Sequence, residues 1–90
     1  MLVALVARDK PGHLEVRKAN REAHLDYGAA SGKVALAGPL LGEDGDMCGS
    51  LIVLEVESLA DARDWAAGDP YAVAGLFASV ELNEWKKVIG

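Results

Sequence analysis

From His13 to Tyr27 the chain carries neither proline nor glycine, and turn signals bracket this stretch on both sides. Lys10-Pro11-Gly12 precedes it, with Pro and Gly in the order that a type II turn requires. Gly28 falls inside its final turns, and Gly32, directly after Ser31, is placed to stop it. About four turns of helix must therefore be accommodated in a chain of only 90 residues. Val16, Ala19, Ala23, Tyr27 and Ala30 share one helical stripe, with Leu14 and Leu25 beside it, and this is the stripe expected to be buried. A second stripe holds Arg17, Arg21 and His24, and Gly28 continues it.

That second stripe has two readings. It is a solvated basic face balanced by Glu15, Glu22 and Asp26, or it is a functional face. In the functional case His24 works as a general base and an arginine holds an anionic substrate. Spacing alone does not separate them.

The segments around the helix read as strands. Leu2 to Ala7 is continuously apolar, which suits a central strand covered on both sides. Lys33 to Leu41 is the second strand, with Val34 and Leu36 on one face and Ala35 and Ala37 on the other. Gly38-Pro39 interrupts it, and proline, lacking a ladder donor, calls for a bulge or an edge there. Gly42 to Gly49 is a Gly- and Asp-rich loop, and Ser50 to Glu57 is the third strand.

Ser58 caps a second helix, with Asp61 three residues on, and Leu59, Ala62, Trp65 and Ala66 form its buried stripe. Gly68 ends that helix. Asp69-Pro70-Tyr71 then opens a short helical turn, Asp as N-cap and Pro as first residue. Phe77 to Trp85 makes the last strand, with Ala78, Val80 and Leu82 toward the core.

The order strand, helix, strand, strand, helix, strand is the split βαβ arrangement. The expected fold is thus α+β and ferredoxin-like: a βαββαβ chain with a four-stranded antiparallel sheet and both helices on one face. The sheet's other face needs a cover, because a large bare apolar patch is rare on a soluble monomer.

Composition points the same way. A single domain of this size buries only about two-thirds of its unfolded surface, yet 51% of the residues are hydrophobic. A homodimer is the expected remedy. The net charge of -5 argues against a nucleic-acid partner, which demands a concentrated basic surface. One cysteine, Cys48, permits no intrachain disulfide and fits a reducing cytoplasm. No apolar run approaches a membrane span of roughly 20 residues, and the opening MLVALVA reads as a strand and not as a signal peptide. The acidic cluster Glu43-Asp44-Asp46 lacks the ligand pattern of a calcium loop.

Several motifs together resemble the YCII-related (YciI-like) family of the dimeric α/β barrel type. They are Arg21-x-x-His24-Leu25-x-Tyr27, then Gly38-Pro39-Leu40 and Gly49, then Asp69-Pro70-Tyr71 followed by Ala74-Gly75-Leu76. The resemblance covers nearly the full chain. It implies a ferredoxin-like protomer, a homodimer packed sheet to sheet, and a pocket between helix and sheet with a His–Asp pair, here His24 and Asp69. It implies no cofactor: one branch is described as performing cofactor-free dehydrochlorination of a hydroxylated ring. Most members have no assigned reaction, and kinship of fold does not transfer one.

Within that frame the site residues keep alternatives. Asp69 caps the helix opened by Pro70, or orients His24 by accepting its Nδ1–H, or does both through its two oxygens. Arg21 neutralises an acidic substrate or pairs with Asp26 or Glu22. Tyr27 donates to a substrate oxygen or packs in the core. Gly38 and Pro39 shape the pocket floor, and Tyr71 and Trp65 serve as pocket wall or core. His13 and Cys48 carry no role. The leading expectation is a cofactor-free lyase- or isomerase-type enzyme acting on a small oxygenated organic acid or phenol. Its rival is a non-catalytic dimeric module that binds a small ligand or serves as an accessory domain.

Overall fold

The computed structural model describes residues 1–90. The chain runs through β1 (Leu2–Asp9), α1 (Leu14–Ser31), β2 (Val34–Leu41) and β3 (Met47–Glu55), then α2 (Leu59–Gly68), α3 (Pro70–Val73) and β4 (Phe77–Trp85). The four strands form one antiparallel sheet in the order β2-β3-β1-β4. This is the ferredoxin-like arrangement expected from the order of elements. The local signals act as the sequence suggests. Gly32 ends α1 with φ 66°, a left-handed conformation that glycine adopts without a Cβ clash. The Ser58 hydroxyl accepts the backbone N–H of Asp61 at the start of α2.

The core lies between the sheet and the helices. Val3, Leu5 and Ala7 of β1 and Ile52 and Leu54 of β3 are buried against Ala62 and Trp65 of α2, with Tyr27 of α1 packed alongside. On the other face, β1 is only half-buried at Leu2, Ala4 and Val6, so one side of this central strand is covered by the chain itself. There Leu36 is 56% exposed, Leu51 38% and Trp85 41%. No element of the chain lies over that face.

Helix α1 corrects the expected burial. The alanine stripe of Ala19, Ala23 and Ala30 faces solvent, and the inward face carries Arg17, Asn20, His24, Tyr27, Gly28 and Ser31. The reason is that the inward polar groups are each partnered. Burying a partnered polar group costs far less than burying a bare one, and alanine methyls offer little area to bury in exchange.

Smaller corrections concern the strands. β3 begins at Met47, so the acidic loop is shorter than expected. The ladder runs straight through Gly38 and Pro39, opposite Leu51 and Ser50. Proline is tolerated because β2 is an edge strand, and the irregularities flank it at Val34/Leu36 and Leu40/Leu41. In β4, Leu82 packs on the core, but Ala78 and Val80 are exposed because β4 is the opposite edge.

Gly49, which opens the paired part of β3 against β1, has no room for a side chain. A Cβ there would collide with the Ala7 carbonyl oxygen and press on the Leu40 side chain. Gly49→Ala should therefore lower stability by about 1–3 kcal/mol, the usual cost of overpacking, read as a fall in denaturant midpoint at unchanged slope. An unchanged midpoint would show that β3 absorbs the methyl.

Candidate functional site

The site is assembled where three helices meet. Asp69 terminates α2 and caps α3, its Oδ1 accepting the Tyr71 backbone N–H at 2.9 Å. The same oxygen lies 2.7 Å from His24 Nδ1, in the middle of α1. Capping and histidine pairing thus coexist, but through one shared oxygen and not one oxygen each. The second oxygen, Oδ2, is buried without a partner. A carboxylate only accepts hydrogen bonds, so Nδ1 is the donor, an arrangement that in the neutral ring leaves the lone pair on Nε2. The Asp69 side chain is 1% exposed and that of His24 12%.

The imidazole also stacks on the Tyr71 ring, with centroids 4.0 Å apart and planes 13° from parallel. Nearby, the Arg17 guanidinium lies 4.6 Å from the Tyr71 centroid, a cation–π distance. Arg17 is fixed by Asp9, with Nε donating to Oδ2 at 2.7 Å and Nη2 to Oδ1 at 3.0 Å. Its Nη2 also donates to the Ser50 hydroxyl at 2.8 Å. Burial works against the charge of Arg17, but the hydrogen bonds and the charge of Asp9 outweigh it and hold the guanidinium above its ordinary value. Burial likewise pushes the Tyr71 phenol up, against the opposing pull of Arg17 and Arg21.

Two hollows open between α1 and β2, and His24 borders both. One, of about 210 Å³, is polar and is lined by Arg17, Arg21, Ser50 and Tyr71, with Gly38 and Pro39 on the strand side. The other, of about 320 Å³, is bounded by Gly28, Ala29, Val34 and Trp65. Of the residues anticipated from sequence, His24, Asp69 and Tyr71 touch one another, and Arg21, Gly38 and Pro39 line the same hollow. Arg21 is exposed and pairs with no carboxylate within salt-bridge range. Tyr27 stands apart. Its hydroxyl donates to the Trp65 carbonyl at 2.7 Å, its ring tilts against the Trp65 indole, and neither hollow includes it. Cys48, His13 and the acidic loop border a separate, open depression at the end of the sheet.

A model of the YCII-related domain matches residues 1–86. The chain belongs to the YCII-related family. A protein of this kind from Escherichia coli, YciI, is 36% identical, with the alignment covering 98% of this chain and 99% of that protein. An uncharacterized protein of Haemophilus influenzae is 37% identical over the same shares. Among solved structures, the 5-chloro-2-hydroxyhydroquinone dehydrochlorinase TftG of Burkholderia phenoliruptrix, in complex with 2,5-dihydroxybenzoquinone, is 38% identical. It superposes with a TM-score of 0.88 over 96% of this chain and 94% of that one. Rv0793 of Mycobacterium tuberculosis shares 12% identity at a TM-score of 0.61, covering all of both chains, and shows the fold alone.

What sequence reasoning missed in this YCII-related chain is the Asp9–Arg17–Ser50 cluster. Arg17 was visible only as a cation on a mixed face, and its partners come from two different strands, Asp9 from the end of β1 and Ser50 from within β3. An arginine on a helix eight residues after an aspartate that closes a strand is too common a pattern to single out. Arg17→Met leaves the Asp9 carboxylate buried, at 6% exposure, without its cation. Breaking such a pair from one side costs on the order of 3 kcal/mol or more, so the melting temperature should drop by more than about 10 °C in a domain of this size. Adding Asp9→Asn to the same chain should recover part of the loss, and an unaltered melting temperature for Arg17→Met would remove the pair as an anchor of α1.

Proposed function

We propose that this protein is a cofactor-free cytoplasmic enzyme that moves a proton on a small oxygenated organic acid or phenol. The observation that carries this reading is the His24–Asp69 contact at 2.7 Å beside a hollow that also holds Arg21. Asp69 fixes the tautomer, His24 Nε2 takes a proton from the bound molecule, and the imidazolium so formed faces the buried carboxylate. Returning that proton at another atom gives an isomerisation, and returning it to a departing group gives an elimination. Both need one acid–base group that works in each direction. Arg21 supplies charge for an acidic or phenolate oxygen, and Tyr71 holds the imidazole plane by stacking. TftG's action on a hydroxylated ring supports a substrate of this class.

His24→Gln keeps a planar amide in place of the ring while removing the base. Across a panel of hydroxylated benzoates and quinones, turnover should fall by at least about 100-fold, the scale of general acid–base catalysis, while binding, followed by chemical-shift changes, persists. Turnover by neither form across the panel would favour a ligand-binding module instead.

The exposed sheet face carries the second part of the reading. Leu36, Leu51 and Trp85 stand on it beside the half-buried Ala4 and Val6, and a second copy of the chain covers it. Sedimentation should give twice the chain mass, and Leu51→Lys should shift the protein toward single chains. A monomer at high micromolar concentration would refute the pairing.

A further inference from the structure

The two hollows beside His24 differ in chemistry, and that difference specifies more of the substrate than its acid–base reaction does. They share His24, Leu25, Ala37 and Ile52, so they meet at the imidazole. Beyond that junction one contains two arginines, a serine hydroxyl and the Tyr71 ring. The other contains Val34 and the Trp65 indole and no charged group beyond the shared histidine. A cavity of about 150 Å³ suffices for one benzene ring. Each hollow, at about 210 and 320 Å³, therefore has room for one.

Gly28 gives this second hollow a cause. It lies inside α1, where glycine lowers helix stability relative to alanine, and its backbone is not among those with positive φ. A Cβ there would meet only Val34 Cγ2, at 3.5 Å, an ordinary contact. Neither backbone conformation nor close packing requires the glycine. Its effect is to keep the space between α1 and β2 open in front of Trp65.

We infer that the substrate is two-lobed. Its oxygenated, anionic end lies against Arg21 and Ser50, its reacting atom lies at His24 Nε2, and an apolar arm about the size of one ring occupies the hollow beside Trp65. This rests on the reading of His24 as the acid–base group and deepens it by naming the substrate's second half. An unadorned phenolic acid fills only the polar side. The arm contributes through apolar area removed from water, and the arginine end sets its direction of entry.

The test compares 2-hydroxybenzoate with its 5-phenyl derivative, titrated into the protein while the His24 ring resonances are followed. The phenyl compound should bind about tenfold or more tightly, as burial of part of an added ring implies. Gly28→Leu, which fills the hollow from the helix and raises helix propensity, should bring the affinity ratio of the two compounds close to one. Val34→Phe should do the same from the strand side. Equal affinities in the unaltered protein, or a ratio that neither variant changes, would overturn the apolar arm while leaving the role of His24 standing. Absence of any His24 response to either compound would overturn both.

Discussion

One carboxylate oxygen, Asp69 Oδ1, sits where three helices depend on it. Its residue ends α2 through the backbone N–H, which donates to the Ala66 carbonyl, while the oxygen itself satisfies an otherwise orphaned N–H at the start of α3 and accepts the Nδ1–H of the imidazole on α1. The backbone contact is local and forms whenever Pro70 and Tyr71 turn into a helix. The imidazole contact spans 45 residues and exists only when α1 is docked. Because the carboxylate is also held by the Tyr71 backbone N–H, its direction does not depend on the histidine alone. That local hold lets a single hydrogen bond orient the ring: the acceptor cannot swing freely to suit the ring, so the ring must suit the acceptor.

The unusual docking of α1 follows from the same economy. A long surface helix ordinarily settles on its sheet through large apolar side chains. Here α1 is tied at its first turn by Arg17 to Asp9 and Ser50, at its middle by His24 to Asp69, and at its end by Tyr27 to the Trp65 carbonyl. Ser31 adds a last tie by accepting from the Trp65 indole. Directional bonds fix a helix at points and leave the spaces between them unfilled. The groove between α1 and β2 is the consequence, and small residues on both sides of it, Gly28 on the helix and Ala37 on the strand, leave it open. A helix seated on leucines would have been more simply stable and would have had no cavity.

The fold was largely legible because its signals are local. Pro11-Gly12, Gly32, the Ser58 cap and Asp69-Pro70 mark element ends through backbone chemistry that no distant contact alters. The strand assignments carried through as well, with small shifts at the start of β3 and along β4. The face that α1 buries was misread because periodicity counts apolar residues, whereas burial here was decided by partners on β1, β3, α2 and the Asp69 cap that spacing along α1 does not reveal. His24 and Asp69 were legible as a pair through family resemblance. From residue types alone, a cap and a histidine partner look identical. Arg17 was not legible at all, since a buried guanidinium and a solvated one have the same sequence signature until Asp9 and Ser50 are seen to converge on it.

Strand β2 ties the groove to the uncovered face of the sheet. Alternation places Ala37 and Pro39 toward α1 while Leu36, Gly38 and Leu40 point away, opposite Val53, Leu51 and Gly49 of β3. As an edge strand, β2 is bonded to β3 alone, and the two hollows lie between it and α1. Within one chain, then, the wall of the site is a strand held along one edge only. A second copy seated on Leu36 and Leu51 would press on this strand from behind, and the width of the groove in front would be set by how firmly it does so. Were the chain to pair through that face, its self-association and the shape of the His24 pocket would be one mechanical problem on the two faces of the same strand.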